Sequence, residues 1–153
     1  MKSRLFCLIS VLFTAGFGGS HALASTPAQE KEFTDKYQAA FEANDSATLQ
    51  SFLYTKGADP DALEFYKMRV ANGAGDKISK IELVALSAED AAKAEKIQDG
   101  PGGKKFKLPL KPTKKLKITV ETKDANGSSS SSSESFVAES DGKLVIPVPV
   151  PAK

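Results

Sequence analysis

The stretch TPAQEKEFTDKYQAAFEANDSATLQSFLYTKGADPDALEFYKMRVAN, residues 26–72, decides how the rest of the chain is read. It holds Phe33, Tyr37, Phe41, Phe52, Tyr54, Phe65 and Tyr66, seven of the nine aromatic residues beyond position 24. The spacing predicts three short amphipathic helices. Thr26, Pro27 and Gln29 are a helix start: a capping hydroxyl, a proline at the first helical position and a capping-box partner. Phe33, Tyr37, Ala40 and Phe41 then recur on one face. Asn44 and Asp45 favour a turn, and Asp45 or Ser46 starts a second helix that buries Leu49, Phe52 and Leu53 and stops at Gly57. Asp59-Pro60 starts a third, with Leu63, Tyr66 and Val70 as its stripe and Ala62 and Phe65 widening it.

Downstream the period changes from helical to alternating. Residues 77–86 place Ile81, Leu83 and Ala85 on one face of a strand. Residues 87–97 begin with a capping-box pattern and are rich in alanine, which predicts a short surface helix. Residues 99–103, Asp-Gly-Pro-Gly-Gly, are a turn and a poor phosphate cradle, since no helix follows. Phe106, Leu108 and Leu110 alternate with Lys105, Lys107 and Pro109, and Leu116, Ile118 and Val120 with Lys115, Lys117, Thr119 and Glu121. Both segments read as half-buried strands, the first interrupted by Pro109 and Pro112. The serine-rich run at 126–133 reads as a low-complexity loop. Asp141-Gly142 is a hairpin turn between residues 135–139 and 143–148, because both of its positions tolerate positive φ. Pro147, Pro149 and Pro151 lie two apart and remove successive donors from one edge. The reading is a protected edge strand, with a polyproline-like docking tail as the alternative.

Upstream, Lys2 and Arg4 precede a short apolar run that ends at Ala22-Leu23-Ala24, the three parts of a secretory signal peptide. Residues 1–24 are therefore expected to be a cleaved leader, and 25–153 a single α+β domain, exported to the periplasm or the extracellular space, with no membrane span once the leader is gone. Cys7 and His21 are the sole cysteine and histidine and leave with the leader. The remaining chain can build no Ser–His–Asp or Cys–His site, no disulfide and no zinc site of His or Cys. Asp59, Asp61 and Glu64 form an acidic cluster, but carboxylates belong at a helix N-terminus, and no metal or cofactor is expected. Asn44-Asp45-Ser46 and Asn126-Gly127-Ser128 match the glycosylation pattern, which matters only in a eukaryotic secretory pathway.

Charge is uneven. Without Lys2 and Arg4 the 21 basic residues fall to 19, equal to the 19 acidic ones. Residues 104–123 nevertheless hold eight lysines and one acid, Glu121. Lys104, Lys105, Lys107, Lys114, Lys115 and Lys117 are candidates for binding a polyanion. With one aromatic and no arginine in the segment, nucleic-acid readout is not expected. The plainer reading is the wet face of an antiparallel sheet.

Phe33-x3-Tyr37-x3-Phe41, then Asn44-Asp45 leading to Leu49 and Phe52-Leu53, then the late Asp141-Gly142-Lys143-Leu144-Val145-Ile146, resemble the NTF2-like (SnoaL-like) α+β superfamily. The resemblance implies three N-terminal helices packed on a curved, mostly antiparallel sheet that wraps a helix into a cone with a pocket, often in a homodimer. Tyr37, Phe41, Tyr54 and Tyr66 are then the pocket candidates. Active members of the superfamily use Asp–His or Tyr–Asp pairs. A histidine pair is impossible here, and no Tyr–Asp pair stands out, so no catalytic residue is assigned. The expectation is an exported binding or scaffolding domain for an unknown small molecule or envelope component. The alternatives are an isomerase- or lyase-type enzyme using Tyr with Asp or Glu, and a lysine-patch adaptor for envelope polyanions.

Overall fold

Thr26 opens the first helix in the computed structural model, which describes residues 25–100, 103–124 and 127–152. Residues 1–24, where a leader is expected, and 101–102, 125–126 and 153 lie outside that range. The Thr26 hydroxyl accepts from the Gln29 N–H at 3.3 Å, and the Gln29 carboxamide accepts from the Thr26 N–H at 2.8 Å. This capping box starts α1 (Pro27–Glu42), which buries Phe33, Tyr37, Ala40 and Phe41. The Asp45 carboxylate accepts from the Thr48 N–H at 3.0 Å and starts α2 (Ser46–Ser51). That helix ends earlier than the sequence suggests. Phe52 caps it, Leu53 and Tyr54 form the short strand β1 (Leu53–Tyr54), and Gly57, at φ 73°, belongs to the following turn. Asp59 caps α3 (Pro60–Ala71). Val70 is buried and Leu63 and Tyr66 are half-buried, but Phe65 is 55% exposed and does not widen the buried stripe.

The aromatic residues meet between the first two helices. Phe52 lies 5.0 Å from Phe33 and 5.2 Å from Tyr37, ring centre to ring centre. Leu49 is fully buried beneath them. Edge and tilted ring contacts of this kind add to the apolar area they bury.

The main sheet runs β1-β7-β6-β5-β2, with β2 (Lys77–Ala85), β5 (Pro112–Asp124), β6 (Gly127–Ser140) and β7 (Lys143–Pro147) antiparallel in turn and β1 parallel to β7. Ile78, Leu116, Ile118, Val120, Val137, Leu144 and Ile146 supply its share of the core under α1. Ser79 and Thr113 are extra residues in the register, and such bulges bend a strand. The hairpin at Asp141-Gly142 forms as read, with φ of 51° and 73°. The helix at 88–97 is α4 (Ala88–Glu95), capped by Ser87. Among the described residues the chain is therefore an α+β fold of four helices and a mostly antiparallel sheet.

Two expectations are corrected. The serine run is a strand and not a loop: Ser128 to Ser133 pair one by one with Lys123 to Ile118 of β5. Its side chains are exposed, so no apolar alternation marks it. The pairing comes from β5, whose Ile118, Thr119, Val120 and Thr122 favour extended backbone, and Thr119 and Ser132 join hydroxyls across the ladder at 3.1 Å. The second correction concerns Pro147, which lies in a strand flanked on both sides; Pro151, by contrast, lies in an edge strand as read. β7 stops at Pro147, and the chain turns into a separate three-stranded sheet, β3-β4-β8, made of β3 (Gln98–Asp99), β4 (Lys105–Lys107) and β8 (Val150–Pro151). The strand expected to run on through Leu110 ends at Lys107, ahead of Pro109.

Candidate functional site

Pro147 creates the site. Ser140–Lys143 closes the two-residue hairpin, so residues of β6 with even numbers present their N–H and C=O toward β7. Ala138–Val145 is the next such rung and the last. Phe136 would be opposite Pro147, which has no N–H to give. On its other side β7 remains tied: the Ile146 N–H donates to the Phe52 carbonyl at 2.8 Å and the Val148 N–H to the Tyr54 carbonyl at 3.2 Å. The strand therefore leaves β6 at this point, and a cleft opens between them.

The cleft has a volume of about 350 Å³. One wall is α3, with Tyr66 and Arg69. A second is the edge of β6 from Glu134 to Phe136 with Lys115 beside it. A third is α4, with Asp90 and Lys93. Phe106, Leu108 and Pro149 from the small sheet and its flanks close it. An adjoining hollow of about 290 Å³ shares Tyr66, Arg69, Gln98, Phe106 and Pro149 and adds the exposed Phe65. Phe106 lies so close to Gly100 that a Cβ there would sit 2.1 Å from its ring, so any larger residue would have to push the ring aside. A groove of about 520 Å³ between α1 and the hairpin turn is lined by the core side of Phe33 and Phe52 and by exposed Glu32, Lys36 and Lys143; it gathers no comparable set of groups.

The charges in the cleft are largely locked. Lys115 Nζ lies 2.8 Å from Asp90 and 3.0 Å from Glu134, and Lys117 is 3.1 Å from the other Glu134 oxygen. The bonds from Lys115 and then from Ser87 hold the Asp90 carboxyl below its ordinary value. Those from Lys115 and Lys117 do the same for Glu134. Asp90 and Glu134 in turn push Lys115 upward. Burial raises the Tyr66 hydroxyl. Each group thus keeps one protonation state through the neutral range, which is unsuited to proton transfer. Arg69 differs. It donates to the Glu134 backbone carbonyl and lies 5.8 Å from the Tyr66 ring centre, and no carboxylate pairs with it among the described residues.

Of the four pocket candidates only Tyr66 lines the cleft, and of the six lysine candidates Lys107 and Lys115 do. Tyr37 and Phe41 are core residues, each 3% exposed, and Tyr37 donates to the Val70 carbonyl at 3.3 Å. Tyr54 is half-buried on β1, away from the cleft lining. The lysines are dispersed over both faces of the main sheet and the small sheet. Lys104 reaches Asp61 at 3.1 Å and Asp59 at 3.5 Å, Lys105 reaches Asp99 at 2.7 Å, and Lys114 crosses to Glu30 on α1 at 3.0 Å. Lys107 has no ion-pair partner among the described residues. Asp59 caps α3, accepting from the Asp61 and Ala62 N–H groups at 3.0 and 3.3 Å. Burial alone would raise its pKa, but the Ala62 N–H, Lys104 and the Asp61 N–H together hold it below the ordinary value. No group of three or more potential ligands is arranged to hold a metal ion among the described residues. Nor is any described helix long and apolar enough to cross a membrane. Sequence reading missed Arg69, Phe136 and Pro149, which meet only through long-range folding.

No protein-family model and no curated protein matches the chain. A substituted form of the designed NTF2-like protein Rd1NTF2_05 aligns with 80% of this chain and 95% of its own, at 10% identity and a TM-score of 0.35. At that score the likeness carries no argument.

Proposed function

We propose that this chain is an exported, non-catalytic binding domain of NTF2-like architecture, whose cleft between α3, α4, β6 and the small sheet takes a small molecule. The observation that carries this reading is the cleft itself: aromatic side chains converge on it, while its acids and its central lysine are engaged with one another. Such a mixture of apolar walls and few fixed polar groups is what small-molecule sites present. The leader-like residues 1–24 support export. The order of three helices, antiparallel sheet and closing hairpin supports the architecture.

An enzyme using Tyr66 with Asp90 or Glu134 is less well supported, because ion pairing makes both carboxylates weaker bases than usual and burial keeps Tyr66 protonated. The polyanion adaptor is also less well supported, since Lys104, Lys105, Lys114, Lys115 and Lys117 are spent on intramolecular carboxylates. Thermal unfolding of the purified protein across a broad small-molecule panel tests the main reading. Compounds that raise the midpoint, and lose that effect when Phe136 is changed to Ser, support it. A flat profile across the panel rejects it.

A further inference from the structure

We propose that the cleft selects amphipathic anions, an acidic head group on an apolar body, with the Arg69 guanidinium as the charge anchor; this rests on the binding-domain reading above. The sign of the charge follows from the pairing. Lys115 is neutralised by Asp90 and Glu134, and Lys93 is held by Glu89 at 2.7 Å. Arg69, Lys96 and Lys107 also line the cleft and have no carboxylate partner among the described residues. Positive charge is thus left in excess where a ligand would enter.

Arg69 is the best placed of the three. A guanidinium carries five N–H donors in a rigid fork. One of its nitrogens is committed to the Glu134 carbonyl, and its central carbon lies 5.8 Å from the Tyr66 ring centre. The side chain is thereby fixed before any ligand arrives, which lowers the ordering cost of binding, and donors remain for a carboxylate or sulfonate. Arg69, Lys96 and Lys107 are all exposed, but no hydrogen bond or ion pair holds either lysine side chain among the described residues, so the two add field more than geometry. The apolar bed is Phe106, Phe136 and Pro149. A bare inorganic anion would leave that bed unused, and a cationic amphiphile would meet the excess positive charge.

The test is calorimetric titration of the purified protein at low ionic strength with octanoate, octan-1-ol and octylammonium, and in parallel with 2-naphthoate and 2-naphthol. The expected result is that each acid binds about tenfold tighter than its uncharged counterpart, with octylammonium weakest. Arg69→Gln removes most of that preference and leaves the alcohols unchanged, while Arg69→Lys retains part of it. Phe136→Ser weakens acids and alcohols alike. Equal affinity for acid and alcohol overturns the anion assignment and leaves the binding-domain reading standing. A preference that survives Arg69→Gln overturns Arg69 as the anchor. Absence of binding by all these probes overturns the assignment, and a blank across the wider panel removes the binding-domain reading with it.

Discussion

Ala138 stands opposite Val145 as the last rung between β6 and β7, one rung short of Pro147. The missing N–H of Pro147 is what separates the two strands and opens the cleft. Pro147→Ala restores a donor facing β6. Hydrogen exchange is then expected to show greater protection at the Phe136 amide, and the cleft to bind less. Unchanged protection there would mean that the small sheet, and not the proline, pulls the strands apart.

Gly100 and Phe106 make a second contact that the cleft depends on. A methyl group at position 100 would overlap the ring, which is half-buried and borders the open cleft and the adjoining hollow. Gly100→Ala should therefore cost little stability, below about 1 kcal/mol, because the ring can move. It should weaken cleft binding severalfold. Denaturation and probe titration on the same variant separate the two effects.

Tyr37 and Val70 join α1 to the end of α3. The hydroxyl satisfies one of the last helix carbonyls, which have no partner within the helix. Tyr37→Phe is expected to cost about 0.5–1.5 kcal/mol in urea denaturation. Burial pushes the Tyr37 hydroxyl up to about 12, from an ordinary 10.0. Its pKa is raised on folding, so this stabilising effect is complete below pH 10 and lost as pH rises through 12. In an ultraviolet absorbance titration, Tyr37→Phe should remove the late component near 12.

Leu49 has no exposed surface, and it is the side chain by which the six-residue α2 is anchored. Leu49→Ala should cost about 2–5 kcal/mol, with the spread set by how far the surrounding rings collapse. A midpoint shift in urea at unchanged slope is the expected signature.

Lys115 sets the acid limit. Asp90 and Glu134 are held below their ordinary values of 3.8 and 4.5. Depressed carboxylates stabilise the fold fully above those ordinary values, and the stabilisation is lost as pH falls through the lower folded ones. With no histidine after position 21, no side chain of that class titrates between pH 5 and 8 in residues 25–153. Thermal midpoints should therefore be level through neutral pH and fall only below about pH 4.5. In Lys115→Met both carboxylates lose their main partner, the midpoint falls at pH 7, and the acid fall becomes shallower. An unchanged acid limb would show that the triad is not coupled to folding.

Most of what the chain determined locally was legible, although Gly57 does not end α2, which stops at Ser51. Thr26 with Gln29, Ser87 with Asp90 and the Asp141-Gly142 turn depend on groups a few residues apart and on backbone φ, and they formed where the sequence placed them; of Asp45 and Ser46, the structure uses Asp45 as the cap. The α1 stripe is legible for the same reason, because period and burial coincide there. Tertiary structure alone decided the rest. Ser128 to Ser133 have no apolar face, and only the ladder from β5 makes them a strand. The two-residue strands β1, β3 and β8 are too short for any period. Phe65 matches its helix's stripe and still stays 55% exposed, in the open hollow beside the small sheet. The cleft depends on a proline whose consequence is felt by Phe136, far along the chain, and on Arg69 reaching across to Glu134. Pairing of distant segments is set by the whole packing, and a residue's own neighbours in sequence do not encode it.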